Sequence, residues 1–306
     1  MGFGLKRMAA MFLATLIISG VSSGQEVELA WVLLQRKEFD EAKFQFMAVA
    51  EKSAPHIDEL TRKVEQTPLD PEGRFLLGLG FLGGKKYNEA YEHLSLAAKL
   101  MSPAQKTSSL SQGVNLMLGE VSMAEKRYAQ AAEFFMKAGD TKSAEEACRF
   151  SLRIEPGNAI LHRHLGLILT AEERFAEAAE EFRKSLGASP EDALALRTLS
   201  LVLVELGHYD EAIEYARRLV RVMPNSPEAH FTFGSAYEKS GDLDKALKEY
   251  EAALRVYPDY ANAKAAISRL RQRKRLVWMI PGGCGVILGL LVFLYFWRRR
   301  LAAVKG

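Results

Sequence analysis

Histidine, acidic and cysteine side chains are the groups in this sequence that could carry catalysis or hold a metal. His162 and His164 lie two residues apart, so on a helix they point to different faces, whereas two ligands on one helix need a spacing of three or four. The acidic pair Glu172–Glu173 falls on a polar helix face, with no apolar site that would raise a carboxyl pKa for catalysis. These residues are interpreted as packing or surface groups.

A glycine-rich stretch and two cysteines add no further chemistry. Residues 78–84 are interrupted by Leu79 and Leu82 and follow no predicted strand, so they do not form a phosphate-binding loop. Cys148 falls in a helical region and Cys284 in an apolar segment, which implies neither a disulfide framework nor a zinc site. The sequence therefore predicts a protein that is not an enzyme and has no cofactor or metal.

The regular part of the chain is a pattern that repeats every 34 residues from Ala159 to Tyr260. Each of the three copies has an alanine in the same phase and a proline 12 residues later: Ala178 and Pro190, Ala212 and Pro224, Ala246 and Pro258. Within each copy, apolar residues recur at steps of three and four, with turn residues between two such runs. The pattern predicts an all-α fold, a solenoid of stacked helical hairpins.

The flanking segments follow this pattern less regularly. Residues 25–104 contain two similar copies, separated by a helical insert at 57–69. At 105–158 the period slips by 13 residues, about one helix. This slip predicts that the helix near 124–138 serves as the second helix of one hairpin and the first helix of the next. Residues 261–275 are predicted to form a polar capping helix with a basic flank.

The N-terminal segment 1–24 has the pattern of a secretory signal peptide. Two basic residues precede an apolar run from Met8 to Ile18, and small residues follow it. The run is short against the roughly 20 residues that a membrane-spanning helix needs, although an uncleaved anchor is the alternative. Cleavage is predicted after Ser23 or Gly24.

A second apolar segment, 276–297, is predicted to be a transmembrane helix. It has 22 residues and no charge, which is long enough to span a bilayer. Trp278 near one end and Tyr295 and Trp297 near the other are placed like interfacial aromatics. If the signal peptide is cleaved, the protein crosses the membrane once, with the helical array periplasmic or extracytoplasmic and the basic tail 298–306 in the cytoplasm.

The positive charge of the chain is concentrated at its ends. The net charge is +3, but the end segments hold 11 basic and no acidic residues, which leaves residues 26–268 with a net charge of −8. Nucleic-acid binding requires a basic surface. The acidic array therefore argues against nucleic acid as a partner.

The copy that begins at Pro227 resembles the tetratricopeptide repeat family. That family has small, large, alanine, aromatic, alanine and proline residues at positions 8, 11, 20, 24, 27 and 32, matched here by Gly234, Tyr237, Ala246, Tyr250, Ala253 and Pro258. The copies at 159 and 193 match less closely, with Ser185 and Leu219 at position 27. The resemblance implies a right-handed superhelix whose first helices line a concave groove for peptides or extended protein segments.

The same resemblance places eleven residues in that groove. They are Trp31, Leu34, Phe75, Leu79, Leu82, Arg163, Leu167, Arg197, Leu201, Val204 and Phe231. Arg163 and Arg197 occupy equivalent positions and either pair with a partner's carboxylate or are solvated surface residues. The asparagines with which some family members hold a chaperone's C-terminal carboxylate are missing, so that binding mode is not expected.

These observations predict a protein-interaction scaffold or adaptor anchored in a membrane. The expected partners are proteins or peptides in the groove and membrane lipid around 276–297, with no nucleic acid or small-molecule substrate. One alternative is a tail-anchored receptor whose array faces the cytoplasm. Another is a regulatory subunit of a membrane enzyme complex.

Overall fold

Every regular element that the computed structural model describes is a helix, and the described residues are 23–105 and 108–273. The chain divides between Pro190 and Glu191 into two compact units, here called unit 1 and unit 2. This division falls inside the segment 159–260 that the sequence presents as one regular array. The two units are described separately below.

Unit 1 contains ten α-helices among its described residues. They are α1 (Ser23–Gln35), α2 (Phe39–Ser53), α3 (Ile57–Gln66), α4 (Pro71–Gly83), α5 (Tyr87–Leu100), α6 (Ser109–Ala124), α7 (Tyr128–Ala138), α8 (Thr141–Ile154), α9 (Ala159–Ala171) and α10 (Phe175–Ala188). A short 3₁₀ turn, Ala54–His56, links α2 to α3. The insert is thus helical, as predicted, and Leu60 and Val64 of α3 pack against Leu77 of α4.

Unit 2 continues the hairpins with α11 (Ala193–Glu205), α12 (Tyr209–Val222), α13 (Pro227–Ser240) and α14 (Leu243–Val256). Residues 261–273 form a further helix, α15. Its Ile267 and Leu270 are buried against Tyr250 and Ala253 of α14, as expected for a capping helix that covers the last hairpin.

Local sequence signals set the helix boundaries. Asp70, Asn158 and Asp192 accept hydrogen bonds from backbone N–H groups in the first turns of α4, α9 and α11, which satisfies donors that a helix start leaves unpaired. Pro190 and Pro224 each follow two residues after the end of a helix, because proline lacks the N–H that would continue it. These ends confirm the predicted hairpins.

Small residues allow the two helices of a hairpin to approach closely. A Cβ atom added to Gly166 would lie 2.9 Å from the Phe182 ring, and one added to Gly234 would lie 2.7 Å from the Tyr250 ring. Both distances are too short for ordinary packing. The glycines therefore provide the space in which the aromatic rings of the second helices lie.

Helix α7 packs against both α6 and α8. The turn before α7 places Lys126 in the left-handed region, with a φ of 61°, and the turn after it places Gly139 there, with a φ of 89°. These residues stand at position 15 of copies that start at 112 and 125. The structure thus shows one helix shared by two hairpins, as the slip in the sequence period predicts.

The predicted membrane segments are mostly beyond the described residues. The segment 276–297, predicted to be a transmembrane helix, and the basic segment 298–306 lie outside them. The predicted signal peptide 1–24 also lies outside them, except for its last two residues, which begin α1. Among residues 23–105 and 108–273, no helix combines the length and the apolar character needed to cross a bilayer.

Candidate functional site

The predicted groove positions on α4 are filled rather than open. Phe75, Leu79 and Leu82 are buried, and so is Leu34 on α1. The Trp31 ring lies 5.3 Å from the Phe75 ring between centroids. Leu34, Phe75, Leu79 and Leu82 therefore belong to the core and, contrary to the prediction, do not line an open groove.

The cover over α4 is the hairpin formed by α1 and α2. The rings of Trp31 and Phe46 lie 4.9 Å apart, and the Phe46 and Phe75 rings lie 5.4 Å apart, so the three form one aromatic cluster. Trp31 is half-buried and also reaches α6, where a Cβ added to Gly113 would come within 2.4 Å of its ring. The hairpin therefore contacts α6 as well as the neighbouring α4.

A cluster of charged groups fixes the same hairpin to α6 and α8. The Lys43 ammonium on α2 lies 3.2 Å from Asp140, 3.3 Å from Asp40 and 3.6 Å from Glu120, and it donates a 2.6 Å hydrogen bond to Ser143 Oγ. Burial raises the pKa of Glu120, an effect that the Lys43 charge only partly offsets. The cluster joins residues about 100 positions apart in sequence.

Ser143 and Lys43 are the kind of pair that could act as a nucleophile and its base. Such a base must be a neutral amine. Burial alone would lower the pKa of Lys43, but the charges of Asp140 and Glu120 outweigh burial and raise it. The amine is therefore held as an ammonium ion, and the contact is an ion-pair cluster rather than a catalytic pair.

Helix α11 in unit 2 presents an exposed face at the corresponding repeat positions. Arg197 and Leu201 are exposed, and Leu201 keeps 43% of its accessible surface, whereas Val204 is turned into the core. Leu194, one turn before Arg197, is 37% exposed. The three outward residues form an apolar–arginine–apolar strip, called the α11 strip below. Arg197 makes no hydrogen bond or ion pair to any residue that the structure describes.

Helix α9 in unit 1 has the same order of residue types at the same repeat positions. Ile160 is 53% exposed, and Arg163 and Leu167 are half-buried. Ile160 and Leu194 were not among the predicted site residues. Both could have been found from the sequence, because each is an apolar residue at position 2 of its copy, where the copy at Pro227 has Glu228.

Phe231 on α13 packs against aromatic side chains of unit 2. Its ring lies 5.3 Å from the Tyr250 ring and 5.8 Å from the Tyr260 ring. Further along α13, Glu238 accepts hydrogen bonds of 2.7 Å from the Tyr250 hydroxyl and 3.0 Å from Arg269 on α15. The capping helix thus occupies much of the α13 face, and α11 is the open first helix of unit 2.

A fold of stacked helical hairpins, with an exposed strip on α11, defines a helical repeat protein. Two sequence models of the tetratricopeptide repeat match the chain, one at residues 152–225 and one at residues 203–270. Residues 152–270 thus contain tetratricopeptide repeats. No curated protein sequence matches it.

Several solved structures have a similar chain path. MamA from Desulfovibrio magneticus RS-1, from residue 41 to its end, is 20% identical with a TM-score of 0.47, over 49% of this chain and 85% of that one. YrrB, described as a TPR protein with an unusual peptide-binding site, is 20% identical with a TM-score of 0.39, over 68% and 96%. The first TPR of Spaghetti, bound to an HSP90 peptide, is 19% identical with a TM-score of 0.37, over 38% and 93%.

Proposed function

We propose that the protein is a non-enzymatic scaffold that binds extended segments of partner proteins on the α11 strip of unit 2 and, independently, on the equivalent positions of α9 in unit 1. The proposal includes a membrane anchor at 276–297, an array on the extracytoplasmic side and a basic tail in the cytoplasm. It also keeps the right-handed superhelix that the family resemblance implies.

The α11 strip is the observation that carries this proposal. Single exposed leucines are common on protein surfaces, but here Leu194 and Leu201 flank an arginine without a partner among the described residues. Arginine and large apolar side chains are the types that contribute most to protein interfaces. An extended segment with apolar side chains and a carboxylate would satisfy all three residues of the strip.

The chemistry of the described residues supports a binding role over a catalytic one. Lys43 is held as an ammonium ion, so it does not activate Ser143. Burial raises the pKa of the Cys148 thiol to about 12, so it is not a thiolate nucleophile near neutral pH. A regulatory subunit of a membrane enzyme complex is the alternative in which the same strips contact an enzyme.

The test of partner binding is affinity capture from membranes with the full chain. The variant Arg197→Ala with Leu201→Ala changes two exposed residues of the α11 strip, and the matched control, Arg221→Ala with Val222→Ala, changes two exposed residues on α12. We expect the strip variant to lose proteins that both the wild type and the control retain. Equal capture by all three would refute the proposed site.

The membrane anchor and its orientation need a separate test. Carbonate extraction should leave the wild type in the membrane fraction and release a variant truncated after residue 275. N-terminal sequencing of the mature protein should begin at Gly24 or Gln25. A retained Met1 would instead favour the tail-anchored receptor with its array in the cytoplasm.

A further inference from the structure

Two histidines at the same repeat position make the same pair of contacts. In the copy that starts at Ala159, His162 Nδ1 lies 2.6 Å from Glu181 Oε2, and His162 Nε2 lies 2.8 Å from the Pro156 carbonyl oxygen. In the copy that starts at Pro227, His230 Nδ1 lies 2.8 Å from Glu249 Oε2, and His230 Nε2 lies 3.1 Å from the Pro224 carbonyl oxygen. Each of these histidine bridges lies within one unit.

Both ring nitrogens in each bridge face an acceptor. A neutral imidazole has one N–H and one lone pair, whereas the imidazolium ion has two N–H donors. Only the protonated ring can donate to both the carboxylate and the carbonyl. The side chains of His162 and His230 are only 10% and 15% exposed, so water gives little replacement for a lost hydrogen bond.

A third copy shows a permanent cation in the same place. In the copy that starts at Pro71, position 4 is Arg74, and its Nε and Nη2 atoms each lie 3.4 Å from the Pro68 carbonyl oxygen. Its Nη1 atom lies 3.3 Å from Nδ1 of His93, which takes the position of Glu181. Three copies thus use a side chain at position 4 to hold the carbonyl of the proline that precedes the copy.

We propose that His162 and His230 are pH-sensitive bridges at the joints between successive hairpins. When protonated, each histidine ties the loop before its helix to the second helix of the same hairpin. When neutral, it loses one of the two contacts and loosens that loop. For α9 the bridge lies beside the exposed Ile160 and the half-buried Arg163, so its protonation would also steady that part of the helix. The proposal stands on bridge geometry and does not depend on partner binding.

Other titratable groups surround the bridges. Near His162, Lys184 on α10 lies 2.7 Å from Glu181 Oε1, Glu155 in the loop accepts from Asn158, and Cys148 on α8 has its pKa raised to about 12 by burial. Near His230, Glu228 on α13 accepts from Ser226. Carboxylates and amines ordinarily titrate outside the range from about pH 5.5 to 8, in which histidine changes charge.

The test is amide hydrogen exchange of the full-length protein at about pH 5.5 and pH 8, expressed as protection factors that correct for the intrinsic rate. We expect the amides around 157–162 and 225–230 to lose protection by about tenfold at the higher pH, the size of one charge-assisted hydrogen bond. Equal protection at both pH values would overturn the proposal.

Three variants separate the bridge from a general effect of pH. His162→Arg places the permanent cation of Arg74 in the bridge and should keep the 157–162 amides protected at both pH values, while the 225–230 amides still respond. His208→Gln changes an exposed histidine in the turn before α12, and this variant should behave like the wild type. If His162→Arg does not fold, Glu181→Gln should reduce the response at 157–162. A wild-type response in both bridge variants would contradict the proposal.

Discussion

The α4 face of unit 1 and the α11 face of unit 2 have equivalent repeat positions and opposite environments. Leu79 and Leu201 both stand at position 9 of their copies, yet Leu79 is fully buried and Leu201 is 43% exposed. The α1–α2 hairpin covers α4 through Trp31 and Phe46. An apolar residue at a groove position is therefore buried where another hairpin packs over it, as on α4. It stays exposed where none of the described residues packs over it, as on α11.

The two units also differ at the turn inside each hairpin. Position 15 has a left-handed backbone in both units. Unit 2 has only glycine there among its described turns, at Gly207 and Gly241, whereas unit 1 has Gly139 at one turn and residues with side chains at the other four, Lys37, Lys85, Lys126 and Glu173. A side chain costs free energy in this backbone region, and glycine does not. Unit 1 therefore carries local strain that its tertiary contacts must offset.

The largest effect expected from this comparison is a difference between two identical substitutions. Leu79→Ala removes a fully buried side chain and should lower the free energy of unfolding by about 2–5 kcal/mol. Leu201→Ala should change it by no more than about 0.5 kcal/mol. Urea unfolding followed by far-ultraviolet circular dichroism measures both. Equal losses would show that the two faces do not differ in burial.

A second pair tests the contact between α1 and α6. Gly113→Ala places a methyl group against the Trp31 ring and should destabilise the protein by about 1–3 kcal/mol. Gly187→Ala on α10 meets no atom within 4 Å and should stabilise it by up to about 1 kcal/mol, since alanine is the better helix former. Opposite signs in the same unfolding assay support the closed hairpin. A stabilising Gly113→Ala would contradict it.

The turns provide a smaller pair of effects. Glu173→Gly should stabilise unit 1 by about 0.5–1 kcal/mol, because glycine adopts a positive φ without a steric cost. Gly207→Ala should destabilise unit 2 by about 1 kcal/mol for the same reason. Thermal unfolding can resolve both shifts. An unchanged melting temperature for Gly207→Ala would show that this turn adopts another conformation in solution.

The smallest effect concerns the Lys43 cluster and its dependence on pH. Because the pKa of Glu120 is raised in the folded state, its contribution to stability is present below the ordinary glutamate pKa and is lost as the pH rises through the raised value. Glu120→Gln should therefore reduce the loss of stability between about pH 4 and pH 7 by about 0.5 kcal/mol. Urea midpoints at the two pH values measure it, with Glu41→Gln on the exposed side of α2 as the control. An identical pH dependence in wild type and Glu120→Gln would contradict burial of this carboxyl.

Much of the fold could be predicted from local sequence signals. The phase of the alanines and prolines predicts the hairpins after Ala159, and the 13-residue slip predicts the shared helix α7. Proline, glycine and capping residues act within a few positions of themselves, so a single sequence contains the information needed to locate them.

The contacts of the α1–α2 hairpin could not be predicted in this way. Lys43 meets Ser143 across 100 positions of sequence, and Trp31 meets Gly113, yet neither residue breaks the repeat pattern. Periodicity identifies which helix face is apolar but not what will cover it. For this reason, the sequence pattern placed buried residues of α4 in the groove and did not identify the exposed Leu194 as a site residue.

The measurement that tests the account most directly is site-specific photo-crosslinking of the full chain to its captured partners. A photoreactive amino acid at position 201 lies on the α11 strip, and one at position 217 lies on the exposed side of α12. The account predicts a crosslinked partner from position 201 and none from position 217. Crosslinks from 217 alone, or equal crosslinks from both positions, would contradict the claim that partners bind the open face of α11.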